Sequence, residues 1–177
     1  MPRLRIARGS IVDLEVDAIV NAANSSLQGG GGVDGAIHRA AGPRLAESAI
    51  RQAPCPPGEA RITNGFDLKA KYVIHTVGPV YDGGGGSAEA TLASCYRSSL
   101  GLAEERKLGS VAIPAISTGR FGYPSALAAA IAVRETAAWL DEHPHPRFVV
   151  LSAFSEESAV ALEQALEDLA RPDLTED

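Results

Sequence analysis

The chain has 177 residues, enough for one domain whose folding buries roughly 70% of the unfolded surface, so a core can form without disulfide or metal staples. Hydrophobic residues at 45% and charged residues at 21% exclude a disordered chain, and 30 Ala against 9 aromatic residues point to closely packed helices. The net charge of −6 argues against a broad basic face for nucleic acid, no apolar run nears the ~18 residues of a membrane span, and the N-terminal MPRLRIARGS lacks the apolar core of a signal peptide, so a cytoplasmic protein away from membranes is expected.

In chain order, Leu4 to Ala7 and Val16 to Val20 read as strands, the second almost wholly apolar, as a strand covered on both faces should be. Val33 to Ala41 is a short helix stopped by Gly42 and Pro43, and Arg44 to Gln52 is a second helical piece ending before Pro54. Ala60 to Asn64 and Tyr72 to Val77 are strands joined through the Asn64-Gly65 turn. Ala88 to Arg106 has helical apolar spacing. Ser110 to Ile116 is a further buried strand in which Pro114 suggests a bulge or an unpaired amide. Pro124 opens an Ala-rich helix to about Asp141, Phe148 to Ala153 is the last strand, and Glu156 to Ala170 the last helix. Strand and helix alternate, so the expected fold is α/β: a mixed, mainly parallel sheet between helical layers, in a single domain over residues 1–170 with an acidic, mobile tail over 171–177.

Cys55 and Cys95 are too few for a disulfide framework and lack CxxC spacing, so free buried thiols are expected. His143 and His145 have no partners spaced to complete a metal site, and no metal and no cofactor are expected. His75, inside an apolar strand, reads as a satisfied core residue, and His38 simply lies on the short helix.

Chemistry concentrates in two loops, NAANSSLQGGGGVDG (Asn21 to Gly35) and STGRFGYP (Ser117 to Pro124), each leaving an apolar strand and entering a helix. Ligands of open α/β sheets sit outside the carboxyl ends of strands, and glycine-rich backbone at a helix N-terminus holds phosphate through amides without Lys or Arg. An acidic protein can thus take an anionic ligand. Neither loop is a Walker A motif or a G-x-G-x-x-G dinucleotide turn. The other glycine run, Gly83 to Gly86, has the same composition without that context and reads as surface loop.

The string VDAIVNAANSSLQGGGGVDGAIHRAAG (Val16 to Gly42), with IHTVGPVY (Ile74 to Tyr81) and AIPAISTGRFGYP (Ala112 to Pro124), resembles the signature of macrodomains of the MacroD type, over about Leu4 to Leu169. The resemblance implies a three-layer α/β/α macrodomain fold and a cleft for ADP-ribose. It implies diphosphate contacts from the amides of Gly30, Gly31, Gly32 and Val33 and of Ser117, Thr118, Gly119, Arg120 and Phe121, with Ala22 and Ile11 also against the ligand. Asn24 matches the family's distal-ribose asparagine and Asp34 its catalytic aspartate. The chemistry is intelligible, since an amide donates to and accepts from sugar hydroxyls and a carboxylate orients water. Taken alone, Asn24 reads as a turn residue and Asp34 as a capping or first-turn residue. At the adenine end the family's G-D-I-T is here GSIV: Ser10 replaces the Asp that accepts from the adenine amino group, exchanging a charge-assisted bond for a neutral one. Phe154 matches the aromatic that stacks on adenine; its plain reading is a core Phe at a strand end. Arg120 either reaches phosphate or is a solvated loop residue.

The resemblance therefore implies a hydrolase that removes mono-ADP-ribose from acidic side chains of proteins and deacetylates O-acetyl-ADP-ribose by direct water attack. Its ligands are ADP-ribose and ADP-ribosylated proteins, and a monomer is expected. The alternative is a non-catalytic reader of ADP-ribosylated proteins, which needs only the glycine loops and the adenine pocket. Asn24 and Asp34 separate the two readings.

Overall fold

The computed structural model describes residues Met1–Asp177. Six strands form one mixed sheet in the spatial order β1 (Leu4–Arg8), β6 (Phe148–Ala153), β5 (Ser110–Ile113), β2 (Ala18–Ala22), β4 (Tyr72–Thr76) and β3 (Ala60–Asn64). The first five are parallel, and β3 runs antiparallel at the edge. Their composition explains this placement. The β2 and β5 strands, AIVNA and SVAI, occupy the middle of the sheet and are covered on both faces.

Helices α3 (Ala88–Glu105), α4 (Ser125–Glu142) and α5 (Glu156–Leu169) cover one face, where Leu92, Tyr96, Leu100, Ile113, Leu140 and Leu151 form the larger core. On the other face lie α1 (Gly32–Ala41), α2 (Arg44–Ile50) and a 3₁₀ turn at Ile11–Asp13, around Ile11, Ile19, Ile37, Leu45 and Val73. The α1 segment is helical because Val33, Ile37 and Ala41 recur at i, i+4, and it stops at Gly42, whose φ of +84° suits glycine. Ile37 and Leu45, fully buried, each stabilise the fold by about 1.5–3 kcal/mol.

One detail of register positions everything that follows. β2 pairs with β4 along its whole length, Ala18 to Ala22, but with β5 only at Ala18↔Val111 and Ile19↔Ala112. Pro114, which cannot donate a ladder hydrogen bond, ends β5 one residue after Ile113. Beyond that point β2 and β5 part. The chain leaves β2 for the α1 face and β5 for the α4 face, which opens a crevice between the two central strands.

The structure corrects three boundaries. Pro114 terminates its strand instead of bulging it. The second strand is shifted by two residues, so Asn21 and Ala22 belong to β2 and not to the loop; Asp17, expected inside it, instead accepts hydrogen bonds from the amides of Gly109 and Ser110. The tail is not a free end: Pro172–Thr175 form a short helix α6, Leu174 is buried, its carbonyl accepts from the Arg3 amide at 2.8 Å, and Arg171 makes a paired hydrogen bond to Asp141. A single apolar residue, Leu174, anchors this otherwise polar segment. No helix is long and apolar enough to cross a membrane.

Candidate active site

Because five strands are parallel, their carboxyl ends share one edge of the sheet, and the candidate ligand-site residues lie in the segments that leave it. Ser10 and Ile11 follow β1, Phe154 follows β6, Ser117 to Phe121 follow β5, and the first glycine loop follows β2. Their order along the edge is the order of the strands.

At the β2 end, Asn24 is fastened into the loop. Its Nδ2 donates to the Gly29 carbonyl at 3.0 Å, and its Oδ1 accepts from Ser26 Oγ at 2.6 Å. Asp34, third residue of α1 and 5% exposed, does not cap its helix. Its Oδ1 accepts from Asn21 Nδ2 at 2.8 Å, and His38 Nε2, one turn on, lies 3.3 Å from the same oxygen. The other oxygen, Oδ2, faces the loop: a Cβ placed on Gly30 would lie 3.2 Å from it and 3.6 Å from Asn24 Nδ2. Gly30 is thus what lets the backbone pass between Asn24 and Asp34. Gly35 does the same from the helix side, where a Cβ would meet the Gly30 carbonyl at 2.6 Å.

Asp34 stands at the end of a buried polar chain. Asn21, wholly buried on β2, is the direct register partner of His75 on β4, and their side chains meet at 3.1 Å between Nδ2 and Nδ1. His75 Nε2 reaches Thr63 Oγ1 on β3 at 3.0 Å. Burial first, then the nearby His38, hold the His75 pKa down to about 4, so the ring is neutral at physiological pH.

The backbone of both loops is rich in unpaired donors. None of the amides from Gly30 to Asp34 finds an acceptor within the protein, as the first turn of α1 requires, and neither do those of Gly119, Arg120 and Phe121. Ser117 takes a left-handed φ of +67°, which a non-glycine residue adopts only where its surroundings impose it; here its hydroxyl is packed so close to Gly78 that a Cβ there would lie 2.2 Å away. Unpaired amides of this kind, after β2 and after β5, are the donors that an anion-binding loop offers. Arg120 is exposed and forms no ion pair. An open hollow of about 460 Å³ lies against the outer side of the first loop, bounded by Gln28, Gly29, Gly30, His38 and Arg39. The small space beneath the second loop, about 10 Å³ beside Tyr96 and Thr118, has room for one water at most.

At the β1/β6 end Phe154 is 87% exposed, which rules out the core-residue alternative and leaves an aromatic face open on the site edge. Ser10 precedes the 3₁₀ turn without using its hydroxyl as a cap, and Ile11 is buried beneath it.

The structure therefore brings Asn24 and Asp34 together across Gly30, with the second amide array, Ser10, Ile11 and Phe154 after neighbouring strands along the same edge. Sequence reasoning missed Asn21 and His38 and gave His75 no link to the site. The spacing of Asp34 and His38, four apart on a helix, was a usable signal. The Asn21–His75 pair was not, since it depends on strand register.

Comparison with known proteins agrees with this geometry. The Macro domain family model matches residues 20–132, and the chain belongs to the Macro domain family. It is 48% identical over 168 residues to the O-acetyl-ADP-ribose deacetylase of Cronobacter sakazakii, covering 93% of each chain. It is 54% identical over 142 residues to the ADP-ribose glycohydrolase MACROD1 of Bos taurus, covering 80% of this chain and 44% of that protein. A mutant of the Oceanobacillus iheyensis macrodomain with ADPR superposes with a TM-score of 0.89 at 42% identity, covering 94% of this chain and 92% of that one. The three-layer α/β/α fold of that family is thereby established for this chain.

Proposed function

We propose that the protein is a hydrolase that removes mono-ADP-ribose from acidic side chains of proteins and, through the same site, deacetylates O-acetyl-ADP-ribose. The observation that carries this reading is Asp34 Oδ2, turned toward Gly30 beside Asn24 at the start of a helix whose first amides are unpaired. The amides of Gly30 to Val33 and of Ser117 and Gly119 to Phe121 grip the diphosphate, the Thr118 amide being donated instead to the Ala115 carbonyl at 3.4 Å. Ser10, Ile11 and Phe154 receive the adenine, with Ala22 against the ligand between the two ends.

Held at both ends, the distal ribose lies against Asn24, whose amide pairs with sugar hydroxyls. A water oriented by Asp34, or by a phosphate oxygen of the substrate itself, attacks the ester; the C–O bond breaks and yields ADP-ribose and a free carboxylate. Binding energy from the diphosphate and adenine serves to place the ester, and no covalent intermediate is needed. His38 Nε2, 3.3 Å from Asp34 Oδ1, contributes by holding the carboxylate in place. The names of two relatives, a deacetylase and a glycohydrolase, support hydrolysis over passive reading.

The test is release of ADP-ribose from a glutamate-linked ADP-ribosyl protein by the purified chain in the presence of chelator. Turnover is expected. Tight binding of ADP-ribose with no release of product from either ester would leave a reader module instead.

A further inference from the structure

We infer that Asn21 and His75 form a positioning relay that assigns different tasks to the two oxygens of Asp34, an inference that rests on the hydrolase reading above. Asn21 is wholly buried, Thr63 and Asp34 are nearly so, and His75 is fully enclosed, so four polar side chains meet in a continuous chain away from solvent. An apolar pair at Asn21 and His75 would fill the same space between β2 and α1 without burying polar atoms.

The direction of each hydrogen bond follows from the chain as a whole. Asn21 meets Asp34 Oδ1 on one side and His75 Nδ1 on the other. Turning its amide over would set a carbonyl oxygen against a carboxylate, so both hydrogens of Nδ2 are donated, one to Asp34 and one to the ring. The ring nitrogen that receives it carries no proton, and the remaining N–H, at Nε2, donates to Thr63 Oγ1. The carboxylate of Asp34 thereby sets the amide of Asn21 on β2, that amide sets the tautomer of His75 on β4, and Thr63 on β3, whose hydroxyl can donate or accept, accepts from Nε2 and holds the ring in place.

The arrangement leaves Asn21 Oδ1 buried without any partner. A buried acceptor without a donor is destabilising, and its retention is what a site does when orientation matters more than stability. Oδ1 is thus occupied by Asn21 and flanked by His38, while Oδ2 remains the oxygen that faces Gly30 and the cleft. The two oxygens of a carboxylate are equivalent, so a half-turn restores the same arrangement; what the relay fixes is the plane of the group, with one oxygen held at Asn21 and the other presented to Gly30.

The experiment has two independent arms. In the first, kinetics on O-acetyl-ADP-ribose are paired with ADP-ribose calorimetry for Asn21→Leu, His75→Leu and His75→Asn. The two Leu variants are expected to lose about 10- to 100-fold in kcat with KM and ADP-ribose affinity within about threefold, because only the orientation of the reacting group is disturbed. His75→Asn, whose amide oxygen can take the place of Nδ1, should recover most of the kcat that His75→Leu loses. Unchanged kcat in Asn21→Leu, or a rise in KM alone, would overturn the relay. The second arm needs no variant: long-range proton–nitrogen NMR of the wild-type protein at neutral pH should show a neutral His75 ring protonated at Nε2. A proton on Nδ1 would reverse the Asn21 amide and contradict the inference outright. Absence of wild-type turnover would sink the hydrolase reading, and the ring tautomer would still decide the relay.

Discussion

Two four-glycine runs in this chain have the same composition and opposite fates. Gly29 to Gly32 leads into α1 and leaves the amides from Gly30 to Asp34 without acceptors. Gly83 to Gly86 leads toward α3, but there Asp82 accepts from the amides of Gly84 and Ala88, both at 3.0 Å. These backbone hydrogen bonds hold the Asp82 carboxyl below the usual carboxylate range. The second run already has its anion. In the first, the nearby carboxylate of Asp34 is turned away from its own helix amides by Asn21 and His38, so the N-terminus is left for a ligand. Glycine content does not make an anion site; what matters is whether the chain caps its own helix.

The largest effect separating the two runs is catalytic. On the proposed reading, Asp34→Ala lowers turnover of ester-linked ADP-ribose by ~10² to 10⁴ with the fold intact, at a stability cost of about 1–3 kcal/mol because Asn21 Nδ2 loses its buried acceptor. Asn24→Ala falls in the same range by displacing the distal ribose. Asp82→Ala should leave kcat unchanged and lower only the melting temperature. Loss of turnover in the Asp82 variant would erase the distinction between the runs.

Next in size is an acid sensitivity located beneath the first run alone. The folded His75 binds a proton only near pH 4, whereas the unfolded residue does so near 6.5, so the unfolded chain holds more protons between those values. Stability is therefore full above pH 6.5, falls as the pH is lowered through that window, and levels off below about 4. Denaturant unfolding at pH 7 and pH 4.5 should differ by roughly 2 to 3 kcal/mol more in the wild type than in His75→Asn. Equal differences would show that His75 is not the residue responsible.

The legibility of the sequence follows the same division. The element order was readable throughout, because apolar runs and helical spacing are local, and so was the pair of loops, since each joins a strand to a helix. What escaped were features set by distant partners. Asn21 reads as loop because only its register with His75, 54 residues away, makes it strand. The tail reads as mobile because one leucine among charged residues gives no periodicity, although Leu174 finds a site beside β1. Phe154 reads equally as core or surface until the end of β6 is placed.

A smaller contrast concerns the glycines themselves. Gly35→Ala drives a Cβ to within 2.6 Å of the Gly30 carbonyl, which displaces the loop; a loss of about 1–3 kcal/mol in stability and weaker ADP-ribose binding are expected by melting and calorimetry. Gly85→Ala meets nothing within 4 Å and should be neutral to within about 0.5 kcal/mol. The smallest effect lies at the far end of the edge, where Ser10→Asp should tighten ADP-ribose by no more than roughly tenfold through a charge-assisted bond to the adenine amino group. Unchanged affinity would move the adenine contact away from Ser10.

On the proposed reading, two sets of backbone amides, one after β2 and one after β5, recognise a diphosphate. Calorimetry of the wild-type protein with ADP-ribose and with AMP, in chelator, tests it most directly, because AMP carries the adenine and one phosphate but spans only one side of the crevice. Clearly tighter binding of ADP-ribose is expected. Equal affinity for the two ligands would contradict the two-loop grip.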